Sequence, residues 1–287
     1  MNLRIRPPSP LTGSGMPRRR DVLAWPLVML SLPCVSAHAQ GSPADNAAAL
    51  ARSVYDRPAG RDMTTLARME LVEKGRTPRV RVVVTYRRES DKRERATLIR
   101  FLEPKDISGV GLLSLARSDG STDQSLYLPE LDRVRKIASD RKGGRFVGSD
   151  LSFEDLQDRD PERDTHRTLG RETQGGVACD IVESIPKDGD DSVYAKRISW
   201  IDRETLLPMR VDYFENASAG ASKRWTVDAR KKVQGYWTIT DSTMADLHQD
   251  SRTRLIIETA RYDRKLPAKL FSARALGDEG FESEFRP

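Results

Sequence analysis

The chain has 287 residues, which is enough for one large all-β domain or two small ones. Its formal net charge of +6 does not predict a nucleic-acid-binding protein, because lysine and arginine are interleaved with aspartate and glutamate instead of being collected in one patch. The two cysteines, Cys34 and Cys179, lie on either side of a predicted cleavage site, which excludes an intramolecular disulfide in the mature protein.

The N-terminal segment has the layout of a secretory signal peptide. Arg18–Arg20 precede an apolar stretch at 22–33, and Ala37–Ala39 form a small-x-small cleavage signal. The apolar stretch is shorter than the roughly 20 residues that span a bilayer. We therefore predict that residues 1–39 are a cleaved signal peptide and that the mature protein is periplasmic. Cleavage would remove five arginines and one aspartate, and so lower the formal charge from +6 to +2.

Details of this segment bear on the export route. Arg19 and Arg20 resemble a twin-arginine signal, but Arg18 stands where a small hydroxyl residue is usual, so the sequence favours the Sec route. Either Met1 or Met16 could be the start, and Met16 would give the more typical signal peptide. Pro33 is a poor lipobox residue before Cys34, which disfavours a lipid-modified cysteine.

Residues 40–60 are predicted to form a tether followed by a short amphipathic helix. Pro43 suits a first helical position, and Leu50 and Val54 recur at helical spacing among alanines. The Pro-Ala-Gly sequence at 58–60 is expected to end the helix.

Residues 61–287 are predicted to form one domain of roughly ten antiparallel strands with one or two short helices. In the strand at 79–88, valines and a tyrosine alternate with polar residues, which indicates a half-solvated strand. The strand at 95–102 has apolar side chains on both faces, which indicates a strand covered on both sides. The tail at 265–287 has too few apolar residues to predict another strand. Further strands are expected at 64–74, 126–128, 165–172, 177–185, 194–201, 209–215, 224–232, 236–244 and 253–262.

The sequence offers no catalytic or metal-binding motif. The mature chain has two histidines, His166 and His248, neither of which lies in a zinc-binding context. Glu154 and Asp155 could be imagined as a glycosidase pair, but adjacent side chains do not face each other on a strand or a helix. Cys179 lies in a strand pattern that predicts a buried, inert thiol. We therefore expect no enzyme activity and no cofactor.

A large curved antiparallel sheet carries the apolar side chains of this sequence. A sheet of this size curls towards a barrel, and soluble proteins rarely leave a large apolar face bare. The concave face is therefore expected to be covered by a helix or filled by an apolar ligand. The predicted cavity-lining residues are Phe101, Leu112, Leu113, Tyr127, Phe146, Phe153, Trp200, Tyr213 and Trp237.

Six sequence blocks resemble the outer membrane lipoprotein-sorting proteins of the LolA/LolB superfamily. The similarity extends from Met63 to Leu276, and its departures include Ser125 in place of tryptophan and Leu151 in place of phenylalanine. The resemblance implies an unclosed β-barrel with a helical lid over an apolar cavity, and no catalytic residue. The blocks are RFLEPKDISGVGLL, LYLPELDRVRKIA, GRFVGSDLSFEDL, CDIVESIPKD, ISWIDRETLLPMRVDYF and GYWTITDSTM.

The leading hypothesis is a monomeric periplasmic carrier that binds lipid or lipoprotein acyl chains for transfer towards the outer membrane. Relatives of this kind often occur with inner-membrane exporters, so the resemblance implies an exporter as a partner. One alternative is a lipid-sensing protein that regulates a membrane-bound partner, and a second is a hydrolase. No nucleic-acid partner is expected.

Overall fold

The computed structural model describes residues 43–90, 92 and 94–287. The predicted signal peptide and the start of the tether lie outside the described residues. None of the described helices is long and apolar enough to span a bilayer.

The described part of the chain is built mainly from β-strands. One helix, α1 (Pro43–Tyr55), precedes them, and a single-turn helix, α2 (Ala273–Leu276), follows them. Short 3₁₀ turns occur at Pro129–Leu131, Ser139–Arg141, Phe146–Gly148, Glu154–Leu156, Pro161–Arg163, Ala268–Leu270, Glu279–Phe281 and Ser283–Phe285. The strands are β1 (Asp62–Glu73), β2 (Arg79–Glu89), β3 (Arg95–Glu103), β4 (Gly111–Ala116), β5 (Thr122–Leu128), β6 (Arg133–Lys136), β7 (Asp164–Gln174), β8 (Val177–Pro186), β9 (Lys196–Asp202), β10 (Leu207–Phe214), β11 (Lys223–Val233), β12 (Tyr236–Asp246) and β13 (Ser251–Tyr262).

All of these strands belong to one 13-stranded antiparallel sheet, in the order β6-β5-β4-β3-β2-β1-β13-β12-β11-β10-β9-β8-β7. The first strand pairs with the last, with Met63 opposite Tyr262, and this pairing joins the two halves of the sheet. The strands β6 and β7 are the two edges, so the sheet does not close into a barrel. The predicted fold class, a mainly β protein with a large unclosed antiparallel sheet and few short helices, is confirmed.

Packed side chains cover both faces of the sheet around β2 to β4. Leu112 and Leu113 are adjacent on β4 and both are buried, yet they belong to different apolar clusters. Because adjacent side chains on a strand point to opposite faces, the two clusters lie on opposite faces of the sheet. We call the face that carries Leu112 and Phe101 the inner face, and the face that carries Leu113 the outer face. The prediction that the strand beginning at Arg95 is covered on both sides is confirmed.

The strand β2 differs from its prediction as a half-solvated strand. Val84 and Tyr86 are buried on the outer face, where the C-terminal segment at 264–287 packs against them. On the inner face, Val83 is buried and Arg81 donates a hydrogen bond to the carbonyl oxygen of Val147 at 2.6 Å. Two residues at the start of the strand are exposed: Arg79, on the face that the alternation predicts to be solvated, and Val80, which is 50% exposed although it lies on the predicted apolar face. The reason is tertiary, because segments distant in sequence cover both faces.

Candidate functional site

A cavity of about 580 Å³ lies between α1 and the inner face of the sheet. The strands β1–β3, β7–β10, β12 and β13 contribute to it, and so does the segment at 154–164, which leads into β7. One part of its wall is apolar and another part is charged, so the cavity suits a ligand that has both an apolar and a charged part.

The apolar part of the wall comes from α1 and from strands on both sides of the β1–β13 pairing. The helix contributes Ala51 and Val54, which follow its amphipathic spacing. The sheet contributes apolar side chains from six strands: Met63, Val182, Ile201, Pro208, Val211, Trp237, Ile239 and Ile257.

The helix α1 is held over the cavity by a small apolar contact and by charged groups. Ala47 is fully buried against Val182 and Ile201, with Leu50 and Val54 packed at the margin. Few of its side chains are buried in this way, so the contact is a weak one for a helix of this length.

Charged groups hold the C-terminal part of the helix. Arg52 on α1 donates to Asp160 at 2.7 Å and to Glu162 at 2.9 Å. At the end of the helix, Arg95 donates to the carbonyl oxygen of Tyr55 at 2.6 Å, and its guanidinium lies 3.7 Å from the centre of the Tyr55 ring.

A buried polar network forms the wall near β9. Glu154 accepts hydrogen bonds from the backbone amide of Val193 at 2.7 Å, from Ser192 and from Arg197. Arg197 also faces Asp164, with Nη1 3.7 Å from the carboxylate, and this buried Nη1 has no hydrogen-bond partner among the described residues. The network ties the segment at 154–164 to the sheet.

Asp155, the neighbour of Glu154, is engaged in the same way. It accepts hydrogen bonds from the Tyr194 hydroxyl at 2.7 Å and from Lys223 at 3.3 Å. Burial, together with the negative charge of Asp155, raises the pKa of Tyr194 and of Tyr213, so both phenols stay protonated at neutral pH. The two carboxylates therefore bind protein donors and anchor a loop, as expected for side chains with a structural role.

Three arginines line the cavity where α1 ends: Arg57, Arg87 and Arg95. The sequence did not predict this group or the helical part of the wall. The position of Arg87 could have indicated this group. It shares the inner face of β2 with Val83, and a charged side chain on a partly apolar face indicates a polar site on that face.

The nine predicted lining residues separate into groups. Tyr213 and Trp237 line the cavity, and Trp237 also packs at the margin of the cluster that contains Trp200. The others pack elsewhere: Phe101, Leu112, Phe146 and Phe153 lie in the inner-face cluster, Leu113 and Tyr127 lie in the outer-face cluster, and Trp200 packs with Cys179 and Leu207 while donating to Glu172 at 2.9 Å.

Cys179 is 2% exposed, and burial raises the pKa of its thiol. These observations agree with the inert thiol predicted from the strand pattern. Among the described residues, no group of three or more histidine, cysteine, aspartate or glutamate side chains could hold a metal ion.

Several solved structures share this architecture. A structure of a DUF1329 family protein from Desulfovibrio piger is 28% identical with a TM-score of 0.77, and the match covers 82% of this chain and 100% of that chain. A domain from Vibrio parahaemolyticus named for outer membrane lipoprotein sorting is 26% identical with a TM-score of 0.76, over 82% of this chain and 99% of that chain. A LolA superfamily protein from Nitrosomonas europaea shares the fold at 14% identity and a TM-score of 0.62, over 82% of this chain and 100% of that chain.

The comparison with curated proteins found no match. A family model with the description "Uncharacterized protein" matches residues 93–278, which is more than half of the chain. The chain therefore belongs to the family that this model describes, and its fold is that of the LolA-like superfamily.

Proposed function

We propose that this protein is a periplasmic carrier that holds an acyl chain of a lipid or lipoprotein in the cavity beneath α1 and delivers it towards the outer membrane. The observation that carries the proposal is the cavity itself, about 580 Å³ with an apolar wall under a lightly attached helix. Its volume falls within the roughly 300–1,000 Å³ of typical small-molecule sites.

Hydrocarbon burial can supply the affinity without any special motif. Each methylene removed from water contributes about 0.8 kcal/mol, so ten methylenes contribute roughly 8 kcal/mol before the cost of immobilising the chain. The relatives support the same role, since one of the solved structures most like this chain is named for lipoprotein sorting.

The proposal also covers how the protein is exported, how its cavity is loaded and which partner it meets. Residues 1–39 direct Sec export and are removed, leaving a monomeric domain from residue 61 preceded by the short helix. The helix α1 moves aside to admit the chain, and an inner-membrane exporter is the partner in transfer. The cavity binds without catalysis, because Glu154 and Asp155 already accept hydrogen bonds from protein donors.

A cavity variant and a core variant test the carrier function. Trp237 lines the cavity and is partly buried, so Trp237→Asp is expected to abolish lipid binding while the protein stays folded. Phe146 is fully buried in the inner-face cluster, with its ring 5.4 Å from that of Phe101, so Phe146→Asp is expected to prevent folding. Trp237→Phe, which keeps an apolar aromatic side chain, is the matched control and should retain binding.

The measurements are mass spectrometry of organic extracts of the purified protein, displacement of a fluorescent lipid, and thermal melting. A wild-type protein that carries no lipid and displaces none would contradict the carrier function. Wild-type affinity in a folded Trp237→Asp variant would show that the ligand lies elsewhere.

A further inference from the structure

The three arginines at the end of α1 form one cluster. Arg57 follows the helix, Arg87 lies near the end of β2 and Arg95 begins β3, and all three border the same cavity. The strands β2 and β3 are antiparallel neighbours, with Arg87 opposite Thr97, which brings the end of one strand beside the start of the next.

Protein carboxylates do not balance this cluster. Glu89 lies 3.1 Å from Arg95 and 3.8 Å from Arg87, and Asp158 lies 4.0 Å from Arg95. Among the residues that the structure describes, no carboxylate forms an ion pair with Arg57. Three guanidinium groups therefore share two carboxylates.

The environment of Arg57 makes this excess charge unfavourable in the unliganded protein. Burial lowers the pKa of Arg57 and the positive charges of Arg87 and Arg95 lower it further, and these effects outweigh the attraction of Asp158. An arginine keeps its proton under such conditions, so the cluster stays charged and an added anion would stabilise it.

The cluster adjoins the apolar wall. Arg95 stacks on the ring of Tyr55, and Val54, the preceding residue, belongs to the apolar part of the cavity. A ligand that filled both parts would have a hydrocarbon chain at one end and a negative group at the other.

We propose that Arg57, Arg87 and Arg95 bind the anionic head group of an acyl lipid whose hydrocarbon lies along the apolar wall. This inference rests on the proposed carrier function and adds the chemical class of the cargo. Guanidinium groups match phosphate and carboxylate oxygens in pairs, and such charge-assisted hydrogen bonds are strong where water is partly excluded.

The test compares three lipids that share a palmitoyl chain and differ in head-group charge: lysophosphatidylglycerol, which is anionic, lysophosphatidylcholine, which is zwitterionic, and monopalmitoylglycerol, which is neutral. Each displaces the uncharged probe N-phenyl-1-naphthylamine from the full mature chain. We expect the anionic lipid to bind about tenfold more tightly than the neutral one, as one or two charge-assisted hydrogen bonds would give.

Variants assign this preference to the cluster. Arg57→Gln should remove the preference for the anionic lipid and leave the affinity for monopalmitoylglycerol unchanged. It should not lower the melting temperature, because Arg57 forms no ion pair with a described carboxylate and its charge is repelled by Arg87 and Arg95. Arg57→Lys should restore part of the preference. The matched control is Arg135→Gln on the exposed edge strand β6, which makes the same charge change away from the cavity and should alter neither affinity.

The outcomes separate this inference from the function on which it rests. Equal affinity for the three lipids, or a full anionic preference in Arg57→Gln, would overturn the head-group site and leave the carrier function intact. Failure of all three lipids to displace the probe would overturn both. Binding of glycerol 3-phosphate alone as tight as that of lysophosphatidylglycerol would identify a free phosphate compound as the ligand and overturn the lipid assignment.

Discussion

Arg100 and Glu282 form an ion pair with both side chains fully buried. The Arg100 guanidinium donates to Glu282 at 3.1 Å and to the carbonyl oxygens of Gly109 at 2.7 Å and Leu276 at 2.9 Å. Burial raises the pKa of Glu282, against the opposing effect of Arg100. One residue of β3 thus attaches the C-terminal segment to the outer face of the sheet.

We predict that Glu282→Gln lowers the free energy of unfolding by about 3–5 kcal/mol, because it leaves the buried charge of Arg100 without its counter-ion. Urea denaturation measures the change. Glu279→Gln is the control, since Glu279 pairs with Arg286 at 3.1 Å on the exposed surface and should contribute about 1 kcal/mol or less. Similar losses in the two variants would refute a special role for the buried pair.

Asp212 provides a prediction about pH. Burial alone would raise the pKa of Asp212, but hydrogen bonds from Arg210 and from Arg224, the latter at 2.8 and 2.9 Å, outweigh it and hold the pKa below its usual range. A carboxylate with a lowered pKa stabilises the fold above its unfolded pKa of about 3.9, and this stabilisation is lost as the pH falls through the folded pKa.

We therefore expect the wild-type protein to lose more stability than Asp212→Asn when the pH falls below about 4. The free energy of unfolding, measured for both proteins from neutral to acidic pH, checks the difference between the two curves. Parallel curves would mean that Asp212 has the same pKa in the folded and unfolded states.

At the scale of single elements, α1 is the part of the fold most suited to move. Its contact with the sheet centres on Ala47, Val182 and Ile201, whereas the strands are joined along ladders of backbone hydrogen bonds. Segments with few buried contacts open at a lower free energy than the core. The helix can therefore detach while the sheet stays intact.

We predict that Ala47→Arg detaches α1, because no space exists for the larger side chain at a fully buried alanine. Hydrogen exchange should show lost protection at residues 46–55 and unchanged protection in β1 and β13. The control Ser53→Arg adds the same charge at an exposed position of α1 and should have no effect. Loss of protection throughout the sheet would mean that the helix is part of the cooperative core.

At the scale of the whole molecule, the C-terminal segment completes the outer face. Leu266, Leu270, Phe271 and Leu276 pack against side chains of β2, β3 and β4. The segment forms no strand, in agreement with the low apolar content seen in the sequence. Its apolar residues are few, but its leucines and Phe271 are buried.

Deletion of residues 264–287 is predicted to prevent folding. It would expose Tyr86, Leu98 and Leu113, and it would leave Arg100 without Glu282 and two of its carbonyl acceptors. Circular dichroism melting and the soluble yield of the shortened chain measure the effect. A shortened protein with the wild-type melting temperature would show that this segment is dispensable.

The strands and the helix were predictable because their signals are local. The alternation of apolar and polar side chains marked most strands, and the alanine-rich spacing around Leu50 and Val54 marked α1, which begins at Pro43 as predicted. The inert thiol of Cys179 followed from its strand pattern for the same reason. The order of the sequence blocks then indicated the superfamily and its unclosed sheet.

The lining of the cavity was mostly not predictable. Large apolar residues such as Phe101 and Leu113 look alike in sequence, yet one packs on the inner face and the other on the outer face. Of the predicted set, Tyr213 and Trp237 border the cavity.

Local patterns were enough to predict a mainly β protein with one N-terminal helix and no recognisable catalytic motif, because backbone periodicity and short motifs depend on neighbouring residues. The folded structure was needed to know which face each strand presents to the cavity, and that Arg57, Arg87 and Arg95 meet at its end. The physical reason is that side-chain burial and unbalanced charge depend on segments far apart in the chain, here the helix before β1, the segment at 154–164 and the C-terminal segment. Those contacts cannot be predicted from the local sequence pattern.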